Sequence, residues 1–175
     1  MIVRKLRLLH RNQRGLTLLE LMVALTISCI IGLGATVANF QVLNQTSNNN
    51  NHTTASRHAM NAIYWISCDT QMAQTIAVDG GTSGFPLALI WVDWDNSVYT
   101  ANYTLADGKL TRTLTVDSGD PRNLLVAEYI NTTTNMTYCS TYNGTLTLSI
   151  TSSVGEGMSL VNVTREREIA SRPNL

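Results

Sequence analysis

The sequence predicts an α+β fold, with one long N-terminal helix followed by an antiparallel β head. Three observations predict it. The stretch from Leu16 to Val37 is apolar and holds a single ionisable residue, Glu20. From Ala55 onward, apolar residues recur at steps of three and four, the spacing of one helix face. Beyond residue 79 the period falls to two, interrupted by Gly, Asn, Asp and Ser clusters that mark turns. A helical run followed by a run of strands is an α+β order in which the sheet packs on the helix.

The chain opens on a basic leader. Arg4, Lys5, Arg7, Arg11 and Arg14 fall within the first 15 residues, which contain no Asp or Glu. Residues 1–15 therefore read as a targeting segment that takes no part in the fold. The formal net charge of zero hides this asymmetry, because the rest of the chain carries 7 basic and 12 acidic residues. Basic residues flanking an apolar helix favour the cytoplasmic side, which puts the N-terminus inside and the acidic remainder outside. An acidic exported part offers no electrostatic footprint for nucleic acid. With 175 residues the chain has room for one modest domain beside a membrane segment.

From Leu16 to Val37, 22 residues make roughly 33 Å of helix, enough to cross a bilayer core of about 30 Å. A cleaved secretory signal would use Thr36-Val37-Ala38 as its small-residue site, but the run exceeds a signal core of roughly 7–15 residues and encloses Glu20. A plain signal anchor explains the length and leaves Glu20 unexplained. A carboxylate in lipid is costly and marks a functional site in need of a partner.

Gly15-Leu16-Thr17-Leu18-Leu19-Glu20, placed between the basic leader and the apolar helix, resembles the type IV prepilin cleavage and methylation motif. The resemblance implies that a membrane-embedded prepilin peptidase cuts between Gly15 and Leu16 and methylates the amine of Leu16. It also implies that Glu20 is the carboxylate used in subunit assembly. Leu16 stands where the family usually has Phe, and the proline often found deep in the helix is missing, with Gly32 and Gly34 as alternative weak points. Physical chemistry supports the pairing. Cleavage creates an α-amino group with a pKa near 7.7–8.0, largely cationic at neutral pH. Glu20 lies about 6 Å further along the helix axis, so a subunit shifted by about one turn could set its carboxylate beside a neighbour's amine. The implied architecture is the pilin fold: leader 1–15, a transmembrane and filament-core helix over 16–38, its amphipathic continuation over 39–78, and an antiparallel β head over 79–175.

Asn39 to Thr54 is a polar tract of poor helix formers that propensity alone would place in a linker. The family places it in a helix leaving the membrane, with fraying or bending expected around Asn48–Asn51. Ala59, Ala62, Ile63, Ile66, Ala73, Ile76 and Ala77 then form the apolar face of the outer half, flanked by Trp65 and Met72 as core residues. Asp79-Gly80-Gly81 with Ser83-Gly84 ends the helix. Leu87 to Trp94 suits a buried strand. Tyr99, Ala101, Tyr103 and Leu105 alternate with Thr100, Asn102 and Thr104, and Asp107-Gly108 turns the chain into Leu110–Val116. Leu124–Ile130, Met136–Thr141, Leu146–Ile150 and Leu160–Thr164 are further strands. Arg112 shares the inward face with Leu110, Leu114 and Val116, as either a snorkelling edge residue or a paired one. The head bears a scattered likeness to J-type minor pseudopilins of type II secretion and W-type minor pilins. It rests on Asp69, Ala73 and Ile76, then Tyr103, Leu105, Gly108, Leu110 and Arg112.

Cys29 lies in the apolar helix as a small hydrophobe, while Cys68 and Cys139 fall in the exported part, where a disulfide is permitted. Helical spacing sets Cys68 off the core stripe. No Cys/His spacing of metal-site type occurs, and no GxSxG, HExxH or phosphate-loop motif. Asp93-Trp94-Asp95-Asn96 and Asp117-Ser118-Gly119-Asp120 collect oxygen ligands without an EF-hand pattern, and turn chemistry accounts for both. Sequons such as Asn102-Tyr103-Thr104 follow from a chain rich in Asn and Thr. The expectation is a non-enzymatic minor pilin or pseudopilin without cofactor or metal. It would be an inner-membrane protein with an extracytoplasmic head, partnered by prepilin peptidase, other pilin subunits, an assembly platform and the lipid bilayer. The competing readings are a membrane-anchored binding module that never polymerises and an exported enzyme.

Overall fold

The computed structural model describes residues 17–78, 84–133 and 135–173. The leader, the Gly15–Leu16 junction and the Asp79–Gly81 stop lie outside the described residues. Among the described residues one long helix, α1 (Leu18–Met72), is followed by eight strands in two antiparallel sheets, an α+β layout consistent with the pilin fold. The chain divides into two compact units, residues 1–45 and 46–175.

In the first unit, residues 18–45 are helical and exposed along their whole length. Three of their hydroxyl side chains turn back onto the backbone. Thr26 Oγ1 donates to the Val23 carbonyl, Ser28 Oγ to Ala24 and Thr36 Oγ1 to Gly32, at 2.8–2.9 Å. These hydroxyls need no water, so the surface they leave to the surroundings is apolar.

In the second unit, Asn48–Asn51 are helical, and the predicted stripe faces inward. Ala55, Ala59, Ala62, Ile63 and Ile66 are buried, joined by Ser67, Asp69 and Thr70. Alanines let the helix backbone lie close to the sheets, and Ile66 fills the gap with Leu87, Leu89, Tyr103, Leu110, Leu146, Leu148 and Ile150. Trp65 and Met72, expected in the core, are 36% and 43% exposed.

The helix stops at Met72 rather than near residue 78. Ala73 is buried at a bend, its N–H on the Asp69 carbonyl, and Thr75–Val78 forms β1, paired antiparallel with β2 (Leu87–Val92). Ile76 and Ala77, read from spacing as helical, are strand residues. Thr75, Ile76 and Val78 are β-branched, and a sheet edge lay within reach to take their backbone groups. The meander continues through β3 (Val98–Ala106), β4 (Lys109–Val116) and β5 (Arg122–Ala127). Asp107 and Gly108 both take positive φ, 50° and 72°, as a two-residue hairpin turn of the predicted kind requires. The second sheet orders β6 (Tyr138–Tyr142), β7 (Thr145–Val154) and β8 (Val161–Ala170), so the single meander expected from sequence is two. Asn143-Gly144 turns β6 into β7 with φ of 48° and 74°. An isolated bridge between Ile130 and Ser152 links the run after β5 to β7. At the end of β8, the Arg172 N–H donates to the Ala73 carbonyl at 2.9 Å.

Candidate functional site

Two constellations stand out, one in each unit. At the start of α1, Thr17 and Glu20 bond reciprocally. The Thr17 N–H donates to Glu20 Oε2 at 3.0 Å and its hydroxyl to the same oxygen at 2.9 Å, while the Glu20 N–H reaches Thr17 Oγ1 at 3.3 Å. This is a capping box, in which a Thr and a Glu three residues later satisfy each other's orphan donors at a helix N-terminus. A carboxylate there also meets the positive end of the helix dipole. Glu20 is thus held by its own chain at the mouth of the apolar helix.

Residues 10–36 match the model of the family described as the prokaryotic N-terminal methylation motif. The chain carries a type IV prepilin-like leader. Gly15, Leu16 and Glu20 all lie inside the matched stretch. The prepilin-like leader supports a type IV pilin-like protein and implies processing by prepilin peptidase and pilin-type partners. Together with a helix apolar and long enough to cross a membrane, the leader points to membrane anchoring. No curated protein and no solved structure gives a significant match.

The second constellation ties the outer helix to the first sheet. Asp69, 2% exposed, accepts from the Tyr103 hydroxyl at 2.5 Å, Arg112 Nε at 2.6 Å and an Arg112 terminal nitrogen at 3.0 Å. Arg112 is therefore the paired residue, not the snorkelling one, and its guanidinium also lies 5.4 Å from the Trp65 ring centre. Register explains the meeting, since Tyr103 and Arg112 are directly opposite across β3 and β4. Burial, then the neighbouring Asp69 charge, raises the Tyr103 pKa, so the phenol stays a donor. Burial alone would lower that of Arg112, but the Asp69 hydrogen bonds and charge outweigh it and the net direction is upward. Through these three hydrogen bonds Asp69 ties α1 to β3 and β4.

Cys68 and Cys139 are both free thiols in the structure. Cys139 is fully buried with its thiol donating to the Gly84 carbonyl at 2.7 Å, whereas Cys68 sits beside the buried helix stripe. Burial pushes the Cys139 pKa up to about 12, which keeps it a protonated, unreactive thiol. A cleft of about 670 Å³ beside Phe85, Asn135 and Tyr138 offers hydroxyls and an amide. One carboxylate oxygen of each oxygen-rich turn caps a local N–H: Asp93 accepts from the Trp94 N–H, Asp95 from Ser97 and Asp117 from Val98. Sequence reading passed over two partners. The Thr-x-x-Glu pattern of Thr17–Glu20 was legible as a capping box. His58, placed on the polar part of the helix, accepts the Glu128 N–H at 3.0 Å and meets Tyr129 edge-on at 5.3 Å.

Proposed function

We propose that this chain is a structural, non-enzymatic subunit of a type IV pilus or a type II secretion pseudopilus. In this reading prepilin peptidase cuts between Gly15 and Leu16 and methylates Leu16. The helix then waits in the cytoplasmic membrane, N-terminus inside and head outside, until an assembly platform adds it to other pilin subunits. The observation that carries this is the position of Glu20. It stands at the start of an apolar helix, one turn from where cleavage would place a cationic amine, inside a matched methylation motif. A minor pilin or pseudopilin role is favoured by the scattered head likeness around Asp69, Tyr103 and Arg112.

The capping box gives the reading a sharper form. Glu20 has a partner before assembly, so joining a filament means exchanging Thr17 for a neighbour's amine. That same partner favours the second reading, a membrane-anchored binding module, because a satisfied carboxylate can stay in an isolated chain. Mass spectrometry of the mature N-terminus together with the Glu20→Ala variant separates them. The expected result is a chain beginning at methylated Leu16, with Glu20→Ala processed normally but absent from sheared filaments. An intact leader, cleavage near Ala38, or normal incorporation of the variant would overturn the reading.

A further inference from the structure

The most exposed large hydrophobic side chain among the described residues is Trp94, at 90%. It sits at the tip of the β2–β3 turn between Asp93 and Asp95. Each of those carboxylates gives one oxygen to a turn N–H, and among the described residues neither has a cationic partner. Leaving an indole in water forgoes a large apolar burial, and Trp is the side chain that most often anchors an interface. The knob therefore combines an aromatic centre with two unspent negative charges.

A matching groove lies on the same unit. Met60, Ile63 and Tyr64 of α1 and Arg165 and Arg167 of β8 line an apolar hollow of about 290 Å³, room for an aromatic ring. Ile63 forms the floor at 9% exposure, and Met60 and Tyr64 form a wall at 58% and 62%. Arg165 and Arg167 share one face of β8 with buried Val163 and Ile169. Arg165 donates to Ser56 Oγ at 3.3 Å, and among the described residues neither arginine has a carboxylate partner. Glu166, the remaining charged lining residue, points to the other face and accepts from Ser149 Oγ at 3.4 Å. The groove thus presents two unpaired cations beside apolar surface.

We infer that the acid-flanked Trp94 of one copy seats in the Met60–Tyr64–Arg165–Arg167 groove of a second copy. Charge complementarity selects this occupant: two unpaired aspartates flank the knob and two unpaired arginines flank the hollow. The two features sit at different heights. The Val92 N–H at the base of the knob donates to Gln74 Oε1 at 3.3 Å, just past the helix end, whereas the groove lies about 12–18 Å back along α1. Knob and hollow are different patches, so the contact is heterologous, the kind that repeats from copy to copy in a ring or an open filament. This inference rests on the filament-subunit reading, not on the minor-subunit refinement of it, and adds that two copies stand next to each other.

The test uses the full chain in its membrane, expressed in two differently tagged forms. One carries a photo-cross-linking amino acid at Tyr64, the other is unmodified, and both are checked for cleavage after Gly15. The expected cross-link joins position 64 to a peptide of the other tagged copy containing Trp94. Trp94→Ala, which keeps both turn aspartates, lowers the yield about tenfold or more. Asp93→Arg with Asp95→Arg lowers it similarly, and Arg165→Asp with Arg167→Asp in the acceptor restores it. Processed chains that cross-link elsewhere, to another protein or not at all, or a charge swap without restoration, overturn the contact while leaving the subunit reading intact. Unprocessed chains overturn both.

Discussion

Replacing Asp69 by Ala removes the acceptor that three buried donor groups share. The Arg112 side chain, 11% exposed, loses its counter-charge, and the fully buried Tyr103 hydroxyl loses its acceptor. Deleting one member of a buried ion pair costs about 3–5 kcal/mol, because the other charge stays desolvated and unpaired. For a unit of this size each kcal/mol moves the melting midpoint by roughly 3–5 °C, so Asp69→Ala lowers it by about 10–20 °C. Tyr103→Phe removes one hydrogen bond to a charged group and keeps the ion pair, at about 1.5–3 kcal/mol. The triple change Asp69→Leu, Tyr103→Phe, Arg112→Met leaves no charge stranded and recovers most of the loss. Near-ultraviolet circular dichroism of the full chain in detergent reads the transition through Trp65 and Trp91. A fall of less than about 3 °C for Asp69→Ala, or a triple variant no better than the single, would refute the reasoning.

Further outcomes concern the head. Cys139 and Tyr103 both have raised pKa values in the fold, so the folded state holds them neutral while the unfolded chain ionises from about pH 8.5 for Cys and 10 for Tyr. Their stabilisation is complete below about pH 8.5 and is lost as pH rises toward about 12, by roughly 1.4 kcal/mol per pH unit for the thiol alone. Urea midpoints between pH 7 and 11 should fall accordingly, and a flat profile contradicts the burial of both groups. Maleimide should leave Cys139 unlabelled in the native chain and label all three cysteines once it is unfolded without reductant. A single reactive thiol in the unfolded chain would instead reveal a Cys68–Cys139 disulfide. Gly155→Ala should cost on the order of 2 kcal/mol. Its φ is +100°, and a Cβ would press on the Ser159 carbonyl and lie 2.7 Å from Asn51 Nδ2. An unchanged melting midpoint would show that the Gly155–Ser159 turn moves freely away from the helix.

Much of this was legible because it is written in period and turn chemistry. The steps from Ala59 to Ile66 and the alternation from Tyr99 to Leu105 each match one geometry, and Asp107-Gly108 supplies the positive φ pair that joins β3 to β4. The end of the helix was not legible. Ile76 and Ala77 continue a helical spacing by coincidence, and a four-residue strand is too short to announce a period of its own. What decided it was a partner outside the segment itself, the edge of β2. The same cause hid the pairing of Asp69 with Arg112, which needs β3 and β4 to bring a guanidinium under the helix. The clue present was that Asp69 continues the Ile66 face, where an acid has to find a cation. The capping box was hidden by nothing but attention to the motif around it, since Thr17 and Glu20 stand at the required spacing.

The bond from the Arg172 N–H to the Ala73 carbonyl joins the last strand of the head to the point where the helix ends, about 100 residues earlier. Such a contact has high sequence separation and forms late. At roughly 5–20 residues per second of synthesis, the helix exists for about 5–20 s before β8 can close over it. During that interval the Ala59–Ile66 face is uncovered, and the strands made first have only each other to pair with. The nascent chain therefore depends on something other than its own finished fold to keep that face from the wrong partner.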